Sequence, residues 1–200
     1  MSYKYVRIPE GVSGDWYIKH FTVSEGDARM FNLGQFVNHE PNRLIDPGDY
    51  TKLCNNGYVV MSDTPAEKDD HHQILYKARL FNSKEKPFTV LINGLGLGYI
   101  TQKLLEFNFL RSITVIEVSE DVINLVAPYI KDSRLEIIHA DALEYKPKDF
   151  YTLVWHDIWS DICTDNKPEY IKLNRRYGKK SHWQGSWCKR EVYKREEVWW

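Results

Sequence analysis

Residues 87–100 read PFTVLINGLGLGYI, and the fold is decided there. FTVLIN at 88–93 is short and almost continuously apolar, the pattern of a strand buried on both faces of a parallel sheet. It runs straight into Gly94, Gly96 and Gly98, after which Ile100 to Phe107 has the spacing of a helix. The alternation continues downstream with a strand SITVIE at 112–117 and a helix from about Glu120 to Tyr129, for which Ser119 is the candidate cap. A strand LEIIH at 135–139, an acidic loop at Asp141 and a fourth strand YTLVWH at 151–156 follow, the last stopping at Asp157. Strands alternating with helices imply a parallel sheet wound by right-handed crossovers.

The predicted architecture is therefore α/β with a Rossmann-like parallel sheet, and only four of its strands are visible. A ligand is expected outside the carboxyl ends of those strands, where the strand order reverses. Working outward, three segments are expected: a β-rich lead-in over 1–86, the sheet over 87–161 and a helical tail over 162–200. In the lead-in, YKYVRI and DWYIKHFTV have the composition of short strands, and Asn55 to Gly57 marks a turn before YVVM. Asp63 or Thr64 before Pro65 is a plausible helix start, and apolar residues recur at helical spacing through HHQILYKARLF. In the tail, TDNKPEYIKLNRRYG and KREVYKREEVWW read as helices packing on the core, with the late tryptophans Trp183, Trp187, Trp199 and Trp200 sealing the sheet edge beside the fourth strand.

Composition narrows the function. Two hundred residues hold one domain, or a core with an appendage, and 27 basic against 28 acidic side chains exclude a uniformly basic nucleic-acid binder. No apolar run approaches the roughly 20 residues of a membrane span. The charged start MSYKYVRIPE is unlike a signal peptide, so the chain reads as cytoplasmic with no membrane partner. Cys54, Cys163 and Cys188 are too few and too irregularly spaced for a disulfide framework, and with the histidines they signal no metal site.

The chemistry lies at the strand ends. Glycines between a strand and a helix let the backbone turn sharply and let a ligand approach main-chain atoms, although a tight turn alone explains them too. Glu117, ending the second strand, is placed to accept hydrogen bonds from ribose hydroxyls, and Asp141, after the third, to receive an adenine amino group. Three such elements at successive strand ends point to a nucleoside cofactor. A dinucleotide fingerprint needs glycine at its sixth position, where this chain has Tyr99, and no phosphate-binding lysine follows the loop.

The form GLGLGY instead resembles the first motif of class I S-adenosylmethionine-dependent methyltransferases. With SITVIEVSEDVINLV, RLEIIHADALEY and FYTLVWHDIWSD, and with NNGYVVMSDTPAEKDDHHQIL before them, residues 57–161 resemble the spermidine synthase branch. The resemblance implies that Gly94, Gly96, Gly98, Glu117, Asp141 and Ala142 hold S-adenosylmethionine. It also puts Asp157 where aminopropyltransferases keep a catalytic aspartate and His71-His72-Gln73 where they keep a Tyr-His-Glu triplet. Two departures count against aminopropyl transfer. Leu97 stands where that branch carries an aspartate for the cofactor ammonium, a charge-assisted contact worth on the order of 1.5 to 3 kcal/mol. Asp157 and Asp161 are also four residues apart, where the branch has three.

Methyl transfer is thus the leading expectation, with aminopropyl transfer and a non-catalytic cofactor-binding or nucleic-acid-binding module as alternatives. Transfer of a methyl group needs in-line placement of the acceptor and removal of a proton. Asp157 is the first candidate for that role, His156 the second and Asp161 the third. Strand alternation aims His156 and Asp157 to opposite faces. His71, His72 and Trp159 are substrate-side candidates, and Trp155 reads as core. The open partners are a small-molecule or polyamine-like acceptor, a second copy of the chain, and nucleic acid. The last rests on the segment 167–195, where an excess of eight positive charges is interleaved with tyrosine and tryptophan.

Overall fold

The computed structural model describes residues 3–37 and 43–197, the last four of these by backbone alone. Among the described residues, nine strands form two sheets.

The first sheet is antiparallel, in the order β1 (Gly11–Ser13), β2 (Trp16–Val23), β3 (Gly48–Asn55), β4 (Tyr58–Ser62). The β3–β4 hairpin turns at Asn56 and Gly57, both with positive φ, as the Asn-Asn-Gly signal predicts. Between β2 and β3 stands a helix absent from the sequence reading, α1 (Glu25–Val37). Its start is a local box in which the Ser24 hydroxyl accepts from the Asp27 N–H and donates to the Asp27 carboxylate. YKYVRI is not a strand. Its backbone groups at Val6 pair with the fully buried Gln102 side chain, which also accepts from the Tyr3 hydroxyl, so a side chain replaces the neighbouring strand.

Two helices, α2 (Pro65–Asp69) and α3 (His72–Ser83), lead to the second sheet. Its strands are β5 (Phe88–Asn93), β6 (Leu110–Glu117), β7 (Leu135–His139), β8 (Tyr151–His156) and β9 (Ser181–Ser186), all paired in parallel in the order β7-β6-β5-β8-β9. Three helices connect them: α4 (Tyr99–Leu105), α5 (Glu120–Val126), whose Val122 N–H is capped by the Ser119 hydroxyl, and α6 (Lys167–Tyr177). A last helix, α7 (Lys189–Glu197), follows β9. The four strands expected from sequence are all present. β5 lies at the centre with Val90, Leu91 and Ile92 fully buried, and the order reverses between β5 and β8.

The fifth strand corrects the reading of 162–200 as purely helical. SHWQGS has one large apolar residue, too weak a signal for a strand. It is held by polar and aromatic contacts instead: Gln184 donates to the Asn174 carbonyl, and Trp183 lies parallel to Trp155 with centroids 6.3 Å apart. A Cβ on Gly185 would lie 2.5 Å from the Trp183 ring and 2.8 Å from Trp155, so glycine there makes room for the stacked pair. The edge beside β8 is thus closed by a strand carrying Trp183, rather than by two helices; Trp199 and Trp200 lie outside the described residues.

Candidate active site

The carboxyl ends of β5, β6, β7 and β8 open on one cavity of about 970 Å3. Each glycine of the loop after β5 has a positive φ and a neighbour occupying the space a side chain would take. A Cβ on Gly94 would fall 1.9 Å from the Asp157 carbonyl oxygen, on Gly96 2.3 Å from the Met61 sulfur, and on Gly98 2.4 Å from Ile130. Positive φ together with these close neighbours accounts for all three glycines without a ligand. The carboxylates, not the glycines, distinguish this cavity from an ordinary strand-to-helix turn.

Glu117 ends β6, nearly buried, and ties the loop to the start of α5: its two carboxylate oxygens accept from the Leu95 N–H at 2.7 Å and the Ser119 N–H at 2.9 Å. Asp141 follows β7, with Oδ1 accepting from the Leu143 N–H at 2.7 Å, beside the buried Ala142. Asp157 follows β8, its position fixed by its own N–H donating to the Asn93 carbonyl. All four residues line the cavity.

The Asp157 side chain is 17% exposed. Burial, reinforced by the negative charges of Asp70, Glu67 and Glu117, pushes its pKa up to about 8. His71, from the turn between α2 and α3, faces it with Nε2 3.7 Å from the carboxylate oxygen. Burial pushes the imidazole down to about 4. Near pH 7 both groups are neutral, and 3.7 Å is too long for a hydrogen bond, so the contact is not a salt bridge. The imidazole sits between the rings of Tyr99 and Trp155, and its Nδ1 is buried without a hydrogen-bond partner.

The remaining wall is acidic. Glu67 on α2 accepts from the Ser62 N–H at 2.6 Å and the Ser62 hydroxyl at 2.7 Å, and burial raises its pKa. Asp161 and Glu169 complete this side, and Glu169 accepts from the Trp159 indole N–H at 2.6 Å while that ring lies on Tyr170. Arg43 supplies the positive charge. Its guanidinium pairs with Asp70 at 3.2 to 3.3 Å, and the Trp187 indole donates to the same carboxylate.

Of the residues singled out from sequence, the cavity brings together Gly94, Gly96, Glu117, Asp141, Ala142, Asp157, Asp161, His71 and Trp159. It leaves out three. Gly98 turns against Ile130, and His72 is exposed with its ring on the Asp69 carbonyl. His156, the second catalytic candidate, is fully buried on the other face of β8, where Asn93 Nδ2 meets its Nδ1 at 2.7 Å and Gln184 Oε1 its Nε2 at 3.1 Å. With both ring nitrogens matched, the neutral tautomer carrying its proton on Nε2 is the one the network accepts, and burial pushes its pKa down to about 4. Its place is structural. Trp155 is fully buried, as expected.

Sequence reasoning missed Arg43, Met61, Glu67 and Glu169. Glu67 lies in the polar stretch SDTPAEKDD, and its partner Ser62 five residues earlier was the available signal; Arg43 and Glu169 reach the cavity only through tertiary folding. Of the aromatic side chains of the tail, Tyr170 and Tyr177 are fully buried and Trp183 stacks on Trp155, whereas Tyr193 is exposed. Among the described residues no helix is long and apolar enough to cross a membrane.

No family model matches the sequence, and no curated protein matches it. The chain is similar to solved structures that are mostly methyltransferases. A spermidine synthase in complex with the transition-state analogue AdoDATO is 22% identical over 74% of this chain and 46% of its own, with a TM-score of 0.44. Human methyltransferase-like protein 13 in complex with SAH is 21% identical over 47% and 49%, with a TM-score of 0.40. The N-methyltransferase NodS from Bradyrhizobium japonicum is 14% identical over 56% and 63%, with a TM-score of 0.42. The chain thus spans 46 to 63% of the length of these three.

Proposed function

We propose that the cavity binds S-adenosylmethionine and that the protein transfers its methyl group to a small, positively charged amine. The observation that carries this reading is the convergence of Glu117, Asp141 and Asp157, from three successive strand ends, on one cavity at the point where the strand order reverses. The cavity's volume suits a nucleoside-sized cofactor with a second small molecule beside it. Glu117 and Asp141 would hold the ribose and the adenine. Each already orders the loop around it, so the donors and acceptors are preset. Bound there, the cofactor supplies an electrophilic methyl group on a sulfonium.

The acidic wall of Glu67, Asp161 and Glu169 favours a cationic acceptor over a phosphate backbone. Asp157 is the group that would take the acceptor's proton. In the free protein it holds a proton itself near pH 7, and an ammonium brought against it favours its ionised form.

The same wall also suits aminopropyl transfer to a polyamine. Leu97 weighs against that second reading, because its side chain is buried and puts no carboxylate beside the glycine loop. Calorimetric titration tests both. S-adenosylmethionine should bind, and Glu117→Ala should weaken binding at least tenfold. Much tighter binding of the decarboxylated cofactor would favour aminopropyl transfer, and binding of neither would reject both.

A further inference from the structure

We propose that α1 is a self-association surface through which two copies of this chain pair across a two-fold axis. The helix is inverted with respect to an ordinary surface helix. Of its side chains, Ala28 is the buried one and Asn32 and Gln35 are partly covered, whereas Met30, Phe31, Leu33, Phe36 and Val37 are 47 to 76% exposed. Asn32 is engaged on the inner side, its amide both donating to and accepting from the backbone of Ile45. An amphipathic helix on a soluble protein places its apolar stripe inward.

Met30, Leu33, Phe36 and Val37 fall within about 120° of one another around the helix, with Phe31 about 100° to one side. At these exposures the four present on the order of 500 Å2, at the upper end of the roughly 300–600 Å2 of the largest patch on a typical monomer. With a polar rim, such a patch supplies most of the roughly 800 Å2 per partner of a standard interface. Charge selects the occupant. Residues 30–37 carry no charged side chain, and the charges of α1, Glu25, Asp27 and Arg29, are confined to its first turns. Two copies crossing antiparallel near Leu33 bring uncharged surface against uncharged surface and keep the two charged ends apart, the arrangement of an isologous interface with an apolar centre. A membrane surface would call for a basic polar face, and the first turn here is acidic.

Sedimentation of the chain across a range of concentrations tests the pairing. The expected species has twice the 23.7 kDa of one copy and dissociates on dilution, and Met30→Glu with Leu33→Glu should leave only the monomer. Both side chains are exposed, so the melting temperature of the variant should stay within a few degrees of the parent, and its S-adenosylmethionine affinity should be unchanged. A parent that sediments as a monomer throughout would overturn the proposal, as would a double variant that still pairs, or a monomeric parent that co-floats with neutral or anionic vesicles. Cofactor affinity is read separately, so failure of the pairing and failure of the proposed function are distinguishable.

Discussion

At the scale of single residues, Asp157 and His156 are neighbours in sequence with opposite fates. The pleat sends one to the cavity and the other into a matched polar pair between β5 and β9. If Asp157 takes the acceptor's proton, turnover should rise with pH and level off as the carboxyl finishes ionising, at about 8 in the free protein and lower once a cation is bound. Asp157→Asn should lower kcat by roughly 10²- to 10⁴-fold, the usual contribution of a general base, with cofactor affinity little changed. A steady-state pH profile of parent and variant checks this. An Asn variant with parental kcat would remove Asp157 from the chemistry.

At the scale of elements, β9 is laddered along β8 and keyed to it by the Trp183–Trp155 stack, and should be sensitive at that stack. Gly185→Ala places a methyl group inside contact distance of both stacked indoles, which must shift or separate. The expected cost is about 1 to 3 kcal/mol, typical of overpacking, read as a lower urea midpoint with loss of the near-ultraviolet tryptophan signal. The same element shows what the sequence makes legible. β5, β6 and β8 are visible because central strands are almost continuously apolar, and the edge strand β7 because Leu135, Ile137 and Ile138 still give it an apolar run; the sites at their ends follow from the strand boundaries. β9 is not, because an edge strand held by glutamine, glycine and one stacked tryptophan has no apolar run. α1 is hidden for a related reason: its apolar residues face outward, so their spacing marks no core. Its Ser24–Asp27 box was the local signal. On the acceptor side, Arg43 and Glu67 come from the antiparallel lead-in and its helices, whose pairing no local pattern specifies.

For the whole molecule, the buried rings of His71 and His156 and the carboxyls of Asp157, Glu67 and Asp70 pull the dependence of stability on pH in opposite directions. The rings of His71 and His156 have pKa values near 4, against roughly 6.5 in an unfolded chain, so the unfolded state binds the extra protons between these values. The stability they contribute is complete above pH 6.5 and is lost as pH falls towards 4. Asp157 has the opposite sign. The native state keeps a proton that the unfolded state has released, from about pH 4 up to about 8, and stability declines across that window. Glu67 and Asp70, raised by burial, add to the falling side just above the ordinary carboxylate range. Beyond it two groups rising against one falling give a net gain up to pH 6.5, and Asp157 alone gives a net loss from there to 8. Thermal melts should therefore peak near pH 6.5. Asp157→Asn should flatten the alkaline side, and His156→Gln should reduce the slope on the acid side.

The parallel edge formed by Trp183 also orders events in time. A chain emerging from the ribosome makes β5, β6, β7 and β8 before the outer partner of β8 exists, since 24 residues separate the end of β8 from the start of β9. During that interval one flank of the nascent sheet carries unsatisfied amides beside a bare indole, an adhesive surface that a trailing strand must reach before a neighbouring chain does. Docking of α6 and β9 is then a late, loop-closing step of synthesis, and the stacking of Trp183 on Trp155 marks its completion.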